Sequence, residues 1–259
     1  MQHKLSVSER ADELEDQMSR ELEANFAFDR VPIRSTIYRS GPEDPTTFKH
    51  DFDKVVASGK LGLMGPDPRL SEMPEKPTLI DFFKQRMCNT QHLMQSARLA
   101  LNNGYGEKVA FACLVHDISV TSFISGDHGY WGRQLLAPYV DEEIAWAVEA
   151  HQYLRFFADE SVGYKYPEAY IKYFGEDFTP EPYIHEAYER ARNHKWYMTG
   201  RLITMNDVYA FDPNVRKLEI EEFTDVIARH FRQPEEGLGF DHSPSAHMWR
   251  TIMWPTRAL

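Results

Sequence analysis

The chain has 259 residues, 42% hydrophobic and 27% charged, with a net charge of −11. That balance fits a globular protein with a sizeable core and argues against broad binding to nucleic acid or an anionic membrane, which needs a basic face. Cys88 and Cys113 make no disulfide framework and are expected to pack in a reducing compartment. No apolar run approaches the ~18 residues of a membrane helix, and the polar, acidic start does not read as a signal peptide, so the cytoplasm is the expected location.

Ser6-Val-Ser-Glu9 reads as a capping box that opens a helix to about Ala27. Leu14, Met18 and Leu22 recur every four residues, an apolar stripe that predicts a helix docked on the body or, alternatively, a homodimer contact. Residues 28–77 are irregular, punctuated by Pro32, Gly41-Pro42, Pro45, Gly65-Pro66, Pro74 and Pro77. A loop of that length reads as a lid over a site mouth or an interface arm.

Pro77-Thr78 opens a long predicted helix through Asp81 and His92 to Leu101, stopped by Asn102-Asn-Gly104. Glu107 to Ile118 is the next helix, and Ser119 to Gly126 a loop. His128 begins a helix through Leu136, ended by Pro138; Asp141 caps another that passes His151 to about Phe157. Pro167 to Phe174 is a short aromatic helix, and a long one runs from about Pro182 through Asp207 to Ala210. Leu218 to Phe231 and Ser243 to Trp254 complete an all-α reading.

Within this frame His92, His116, Asp117, His128, His151 and Asp207 fall in helical segments. His92 to His116 and His128 to His151 each span the roughly 20–30 residues in which a helix pair with a short loop returns to the same level. The histidines can therefore converge. His116–Asp117 is the most informative pair, because Val109-Ala-Phe-Ala-Cys-Leu-Val115 ahead of it is apolar. A buried Asp beside a buried His is costly unless paired or metal-bound. Imidazole with carboxylate suits iron, manganese, zinc or another divalent metal. A single histidine on an apolar face is more often a hydrogen-bonded core residue, so the argument is joint. Asp127 competes with His128, which alternatively caps a helix.

The pattern His92 … His116-Asp117 … His128 … His151 … Asp207 resembles the HD-domain superfamily of metal enzymes. More narrowly, it is similar to the branch of mixed-valent di-iron oxygenases that includes inositol oxygenase and the hydroxyphosphonate oxygenases. The segments His92-Leu-Met-Gln-Ser-Ala97, Gly126-Asp-His-Gly-Tyr-Trp-Gly-Arg-Gln-Leu-Leu136, Val148-Glu-Ala-His-Gln-Tyr-Leu-Arg-Phe156 and Asp207-Val-Tyr209 carry the resemblance, which covers roughly residues 78–232.

The resemblance implies an HD-domain helical bundle over 78–232, with an irregular N-terminal extension over 1–77 and a packed C-terminal segment over 233–259. It implies His92, His116, Asp117 and Asp207 on one metal, His128 and His151 on the other, and Asp117 bridging. It further implies two iron ions, Fe(II) and Fe(III), and oxidative cleavage of a small hydroxylated, phosphonate or otherwise anionic substrate by O2. Arg155, one turn after His151, occupies a position where the hydroxyphosphonate enzymes carry a substrate-contacting cation. Lys195 and Arg201 are weaker anion-binding candidates, and Gln95 would orient a ligand or touch substrate. His194 and His247 are candidates to line the pocket. Phe211 stands where inositol oxygenase has a lysine, so the expected substrate is neither family's own. A metal-dependent HD phosphohydrolase is the alternative function, and a non-catalytic HD scaffold the third.

Overall fold

The computed structural model describes residues 5–26, 73–87, 90–122, 124, 126–233 and 244–253. Residues 28–72 of the lid or arm expected over 28–77, together with His3, His50, Cys88 and His242, lie outside those residues.

The described residues form helices and turns, with no strand among them. In chain order the helices are α1 (Val7–Ala24), α2 (Leu79–Gln85), α3 (Thr90–Asn102), α4 (Glu107–Val115), α5 (Ile118–Ser122), α6 (His128–Leu136), α7 (Glu142–Leu154), α8 (Glu168–Phe174), α9 (Pro182–Ala191), α10 (Tyr197–Asp207), α11 (Thr224–His230) and α12 (Pro244–Met253). Their starts follow local chemistry. Ser6 and Glu9 close the capping box of α1, Thr78 and Asp81 that of α2, and the Asp141 carboxylate accepts from the Ile144 N–H at the head of α7.

The bundle is built around α7, which packs against α10, α6, α4 and α9, while α3 packs against α4 and α10. Small residues set these approaches. A Cβ on Gly129 would stand 2.7 Å from the Glu149 carbonyl oxygen, and one on Gly200 would stand 3.1 Å from Leu154 Cδ1. So α6 and α10 lie close against α7, which carries His151. The core continues into α12, where Trp249 is fully buried and its Nε1–H donates to the Leu135 carbonyl at 2.6 Å.

Several expected boundaries move. The helix predicted over 78–101 is two helices: α2 ends at Arg86, whose guanidinium donates to the Ile252 and Met253 carbonyls at the end of α12. The helix predicted over 182–210 is α9 and α10, separated where the His194 ring turns to stack on Trp146 at 4.1 Å. The loop predicted over 119–126 begins as a helical turn, because Ser122 and Thr121 stay bonded to carbonyls at the start of α5.

The largest correction concerns α1. Its buried stripe is Ser8, Ala11, Glu15, Ser19, Leu22 and Glu23, whereas Leu14 and Met18 are half-buried. Ala11, Val7 and Leu14 pack with Phe156, Tyr170 and Ile184, and the acids turn inward where the surface beside that apolar cluster offers polar partners. Glu15 pairs with Arg155 and accepts from the Tyr170 hydroxyl, Glu23 accepts from the Gln91 N–H, and the Ser8 hydroxyl donates to Glu181.

Candidate metal centre

Five segments deliver the six predicted donors to one place. His92 sits in the first turn of α3, His116 and Asp117 in the turn joining α4 to α5, His128 at the start of α6, His151 near the end of α7, and Asp207 at the end of α10. All six are buried. They form two groups that share a member: His92, His116, Asp117 and Asp207 in one, and Asp117, His128 and His151 in the other.

The distances suit shared cations. His92 Nε2 is 3.1 Å from both His116 Nε2 and Asp207 Oδ1, and 3.6 Å from Asp117 Oδ2. His128 Nε2 and His151 Nε2 are 3.2 Å apart, and 3.5 and 3.4 Å from Asp117 Oδ1. Two donors that each bind one ion at ~2.0–2.1 Å, at octahedral to tetrahedral angles, stand ~2.9–3.4 Å apart. Asp117 presents Oδ2 to one group and Oδ1 to the other. Its Oδ1 is buried and receives no hydrogen bond, a costly state for a carboxylate oxygen unless a cation supplies the missing partner.

The ring nitrogens facing outward fix the tautomers. His116 Nδ1 lies 2.7 Å from the Cys113 carbonyl, His92 Nδ1 lies 3.3 Å from the Ala210 carbonyl, and His151 Nδ1 contacts the Val148 carbonyl. A carbonyl only accepts, so each Nδ1 carries a proton, and it is the neutral form of each ring that presents an Nε2 lone pair inward. Neutral His92 and His116 would face each other lone pair to lone pair at 3.1 Å, a repulsion that either a proton on one ring or a cation between them relieves.

In the metal-free protein the two acids decide which ring is charged. Burial alone would lower His92, but Asp117 and Asp207 outweigh it and raise the ring to about 10. Burial pulls His151 down to about 4; Asp117 opposes this only in part, and His116 and His128 add to the drop. Asp117 and Asp207 are held below the usual carboxylate range by the surrounding imidazoles, against the effect of burial. The donor set is nitrogen and oxygen only. Cys113 is buried away from water, its thiol raised to about 12, and does not join either group.

The other candidates are placed as follows. Asp127 accepts from Gln152 Nε2 at 3.1 Å and from the Tyr183 hydroxyl at 2.8 Å, which leaves His128 as the donor in the cluster. Arg155 is fully buried and spans Asp12 Oδ1 at 2.7 Å and Glu15, so the cation expected for substrate meets two carboxylates of α1. Arg201 donates to the Leu154 carbonyl and the Tyr197 hydroxyl, and Lys195 is exposed over the Trp196 ring at 4.0 Å; neither joins the six. Gln95 clamps the backbone of Asp212, donating to its carbonyl and accepting from its N–H, both at 3.0 Å. It thereby steadies the turn whose Ala210 carbonyl holds His92. His194 stacks on Trp146, and His247 is exposed.

Sequence reasoning missed Asp12, Glu15 and Glu23, and it read Phe211 only as a departure from inositol oxygenase. Phe211 stacks on the His92 ring with centroids 4.1 Å apart. The acids of α1 follow helical spacing, but that pattern is what a solvated helix face shows as well. No known protein-family model matches the chain, and no curated protein sequence matches it. Among the described residues, no helix is long and apolar enough to cross a membrane.

Proposed function

We propose that this chain is a dinuclear-iron oxygenase that uses O2 to oxidise and cleave a small hydroxylated substrate. The observation that carries the reading is the division of six buried donors into a four-donor and a three-donor group that share the Asp117 carboxylate. The four-donor group suits a closed ion, while the three-donor group leaves room for exogenous ligands. Four neutral imidazoles and two carboxylates, with no thiolate, suit iron and also manganese or zinc. The order of the ligands along the chain resembles the mixed-valent di-iron branch, and that resemblance selects iron and oxygen chemistry.

When bound, the two irons would supply Lewis acidity toward a substrate hydroxyl and one-electron reduction of dioxygen. The protein's own residues do the rest. The Nδ1 contacts hold the histidine rings in the tautomer that presents Nε2 inward. Asp117 ties the two positions together, and burial keeps bulk water from the centre. The two carboxylates do not neutralise two divalent cations, so the centre keeps a positive charge that favours an anionic or alkoxide-forming substrate.

Anaerobic purification, iron quantification and EPR after brief exposure to oxygen test the reading. About two irons per chain and a coupled Fe(II)/Fe(III) signal are expected, followed by oxygen uptake with small hydroxyphosphonates or polyols. Two manganese or zinc ions, no mixed-valent signal and turnover of phosphoesters would instead establish the phosphohydrolase alternative, for which a dinuclear site is equally suited. Full retention of metal-free folding and no metal uptake would favour the scaffold.

A further inference from the structure

Asp127 opens α6 in an uncommon way. It is the one non-glycine residue with positive φ among the described residues, at φ 50° and ψ 40°, and its side chain does not cap the helix it precedes. An aspartate at that position in extended backbone would accept from the second or third N–H of the helix. Here the second N–H, that of Gly129, donates instead to the Gln152 side-chain oxygen at 2.9 Å, across from α7. The other end of the same carboxamide, Nε2, donates to Asp127 Oδ1 at 3.1 Å, and the Tyr183 hydroxyl donates to that oxygen at 2.8 Å. An N–H only donates and a carboxylate only accepts, so the two partners fix which way the amide faces. Gln152 is buried and the approach has no slack: a Cβ on Gly129 would stand 2.8 Å from Gln152 Cβ and 2.9 Å from its Oε1.

His128 lies between the two residues that this amide grips, and Gln152 directly follows His151. Neighbours on a helix point about 100° apart. So α7 aims His151 at the cluster and Gln152 at the backbone that carries His128, and the two rings meet with their Nε2 atoms 3.2 Å apart. We propose that Gln152 is the positioning residue of the three-donor metal position: its carboxamide locks residues 127–129 onto α7 and so sets where His128 Nε2 stands relative to His151 Nε2. The inference rests on the dinuclear reading above. A ligand displaced by more than ~0.5 Å no longer meets its ion in productive geometry, and left-handed backbone at an aspartate persists only where its surroundings hold it.

The test uses the full chain loaded with zinc and compares the parent with Gln152→Ala, Gln152→Glu, the double variant Gln152→Glu with Asp127→Asn, and Glu149→Gln. The parent is expected to hold two ions. Gln152→Ala keeps the ion of the four-donor group and binds the other ~10–100-fold more weakly. Gln152→Glu keeps an acceptor for Gly129 but sets a second carboxylate against Asp127, and it weakens the same ion. Adding Asp127→Asn reverses that loss, because both bonds return with donor and acceptor exchanged. Glu149→Gln weakens the 2.6 Å pair with Arg133 that joins the same two helices, leaves residues 127–129 gripped, and retains both ions. Long-range 1H–15N correlation spectra show which histidines give up zinc: His128 and His151 in Gln152→Ala, with His92 and His116 unchanged.

Parent-like affinity at both positions in Gln152→Ala, equal loss at both, or a double variant no better than Gln152→Glu overturns the assignment. A loss in Glu149→Gln as large as that in Gln152→Ala overturns it too, since any loosening of α6 from α7 would then suffice. Should Gln152→Ala fail to fold, Gln152→Glu with and without Asp127→Asn carries the comparison. A parent that takes up no zinc brings down the dinuclear reading and this assignment with it. A parent with two zinc ions and an indifferent Gln152→Ala brings down the assignment alone.

Discussion

Asp12 and Arg155 are 143 positions apart in sequence and 2.7 Å apart in the fold, through Oδ1 and Nη2. Arg155 follows His151 by one helical turn on α7, so this pair ties the N-terminal helix to the helix that supplies a candidate ligand. Because Arg155 is fully buried, its charge depends on Asp12 and Glu15 for compensation.

Arg155→Met should therefore destabilise the protein by about 3–5 kcal/mol, the cost of leaving partner charges buried and unpaired. Urea denaturation measures the loss. Adding Glu15→Gln to Arg155→Met should recover part of it. Additive losses in the double variant would refute the coupling.

Asp117 and His151 should differ in metal stoichiometry. Asp117 contributes to both donor groups and His151 to one. Asp117→Ala should lose both ions, and His151→Ala only the second. Elemental analysis after dialysis distinguishes them, and loss of a single ion from Asp117→Ala would show that the carboxylate does not bridge.

Metal uptake should release protons. In the metal-free protein the carboxylates of Asp117 and Asp207 raise His92 to about 10, so its ring is protonated at pH 7 and must lose that proton to bind a cation. Calorimetric titration in buffers of different ionisation enthalpy reads the release directly. Affinity should rise with pH until His92 deprotonates, and uptake without proton release would contradict the assignment.

Docking of α1 in the metal-free protein should weaken as pH rises. Burial raises Glu15 and Glu23 from 4.5 to about 7. A group whose folded value is raised stabilises fully below its unfolded value and loses that contribution as pH climbs through the folded one. The window is pH 4.5 to 7. Hydrogen-exchange protection of residues 7–24, corrected for intrinsic rates, should fall across it; protection that increases would reverse the sign.

Gly129→Ala should cost about 1–3 kcal/mol by forcing α6 away from α7, since the added Cβ meets Glu149 backbone at 2.7 Å and Gln152 Cβ at 2.8 Å. His128 lies next to Gly129, so zinc affinity at the three-donor position should fall with it. A neutral substitution would mean that the helices yield at no cost.

The sequence by itself determined the all-α architecture, most helix starts and the identities of the six converging donors. Caps such as Ser6 and Asp141, apolar runs such as that before His116, and histidines at intervals that helix pairs bring to one level are local or periodic signals, whereas Asp207, and His128 over Asp127, were singled out by the family resemblance. Tertiary structure decided what faces what. Leu14 and Met18 formed the more obvious stripe on α1, but the helix buries Glu15 and Glu23, because a buried Arg155 and the N-terminus of α3 offer more to a carboxylate than an apolar surface would. Arg155 looked like a cation awaiting substrate, and only the fold shows that Asp12 and Glu15 meet it. Charge compensation in a low-dielectric interior depends on partners more than a hundred residues away, and no local pattern in the chain encodes them.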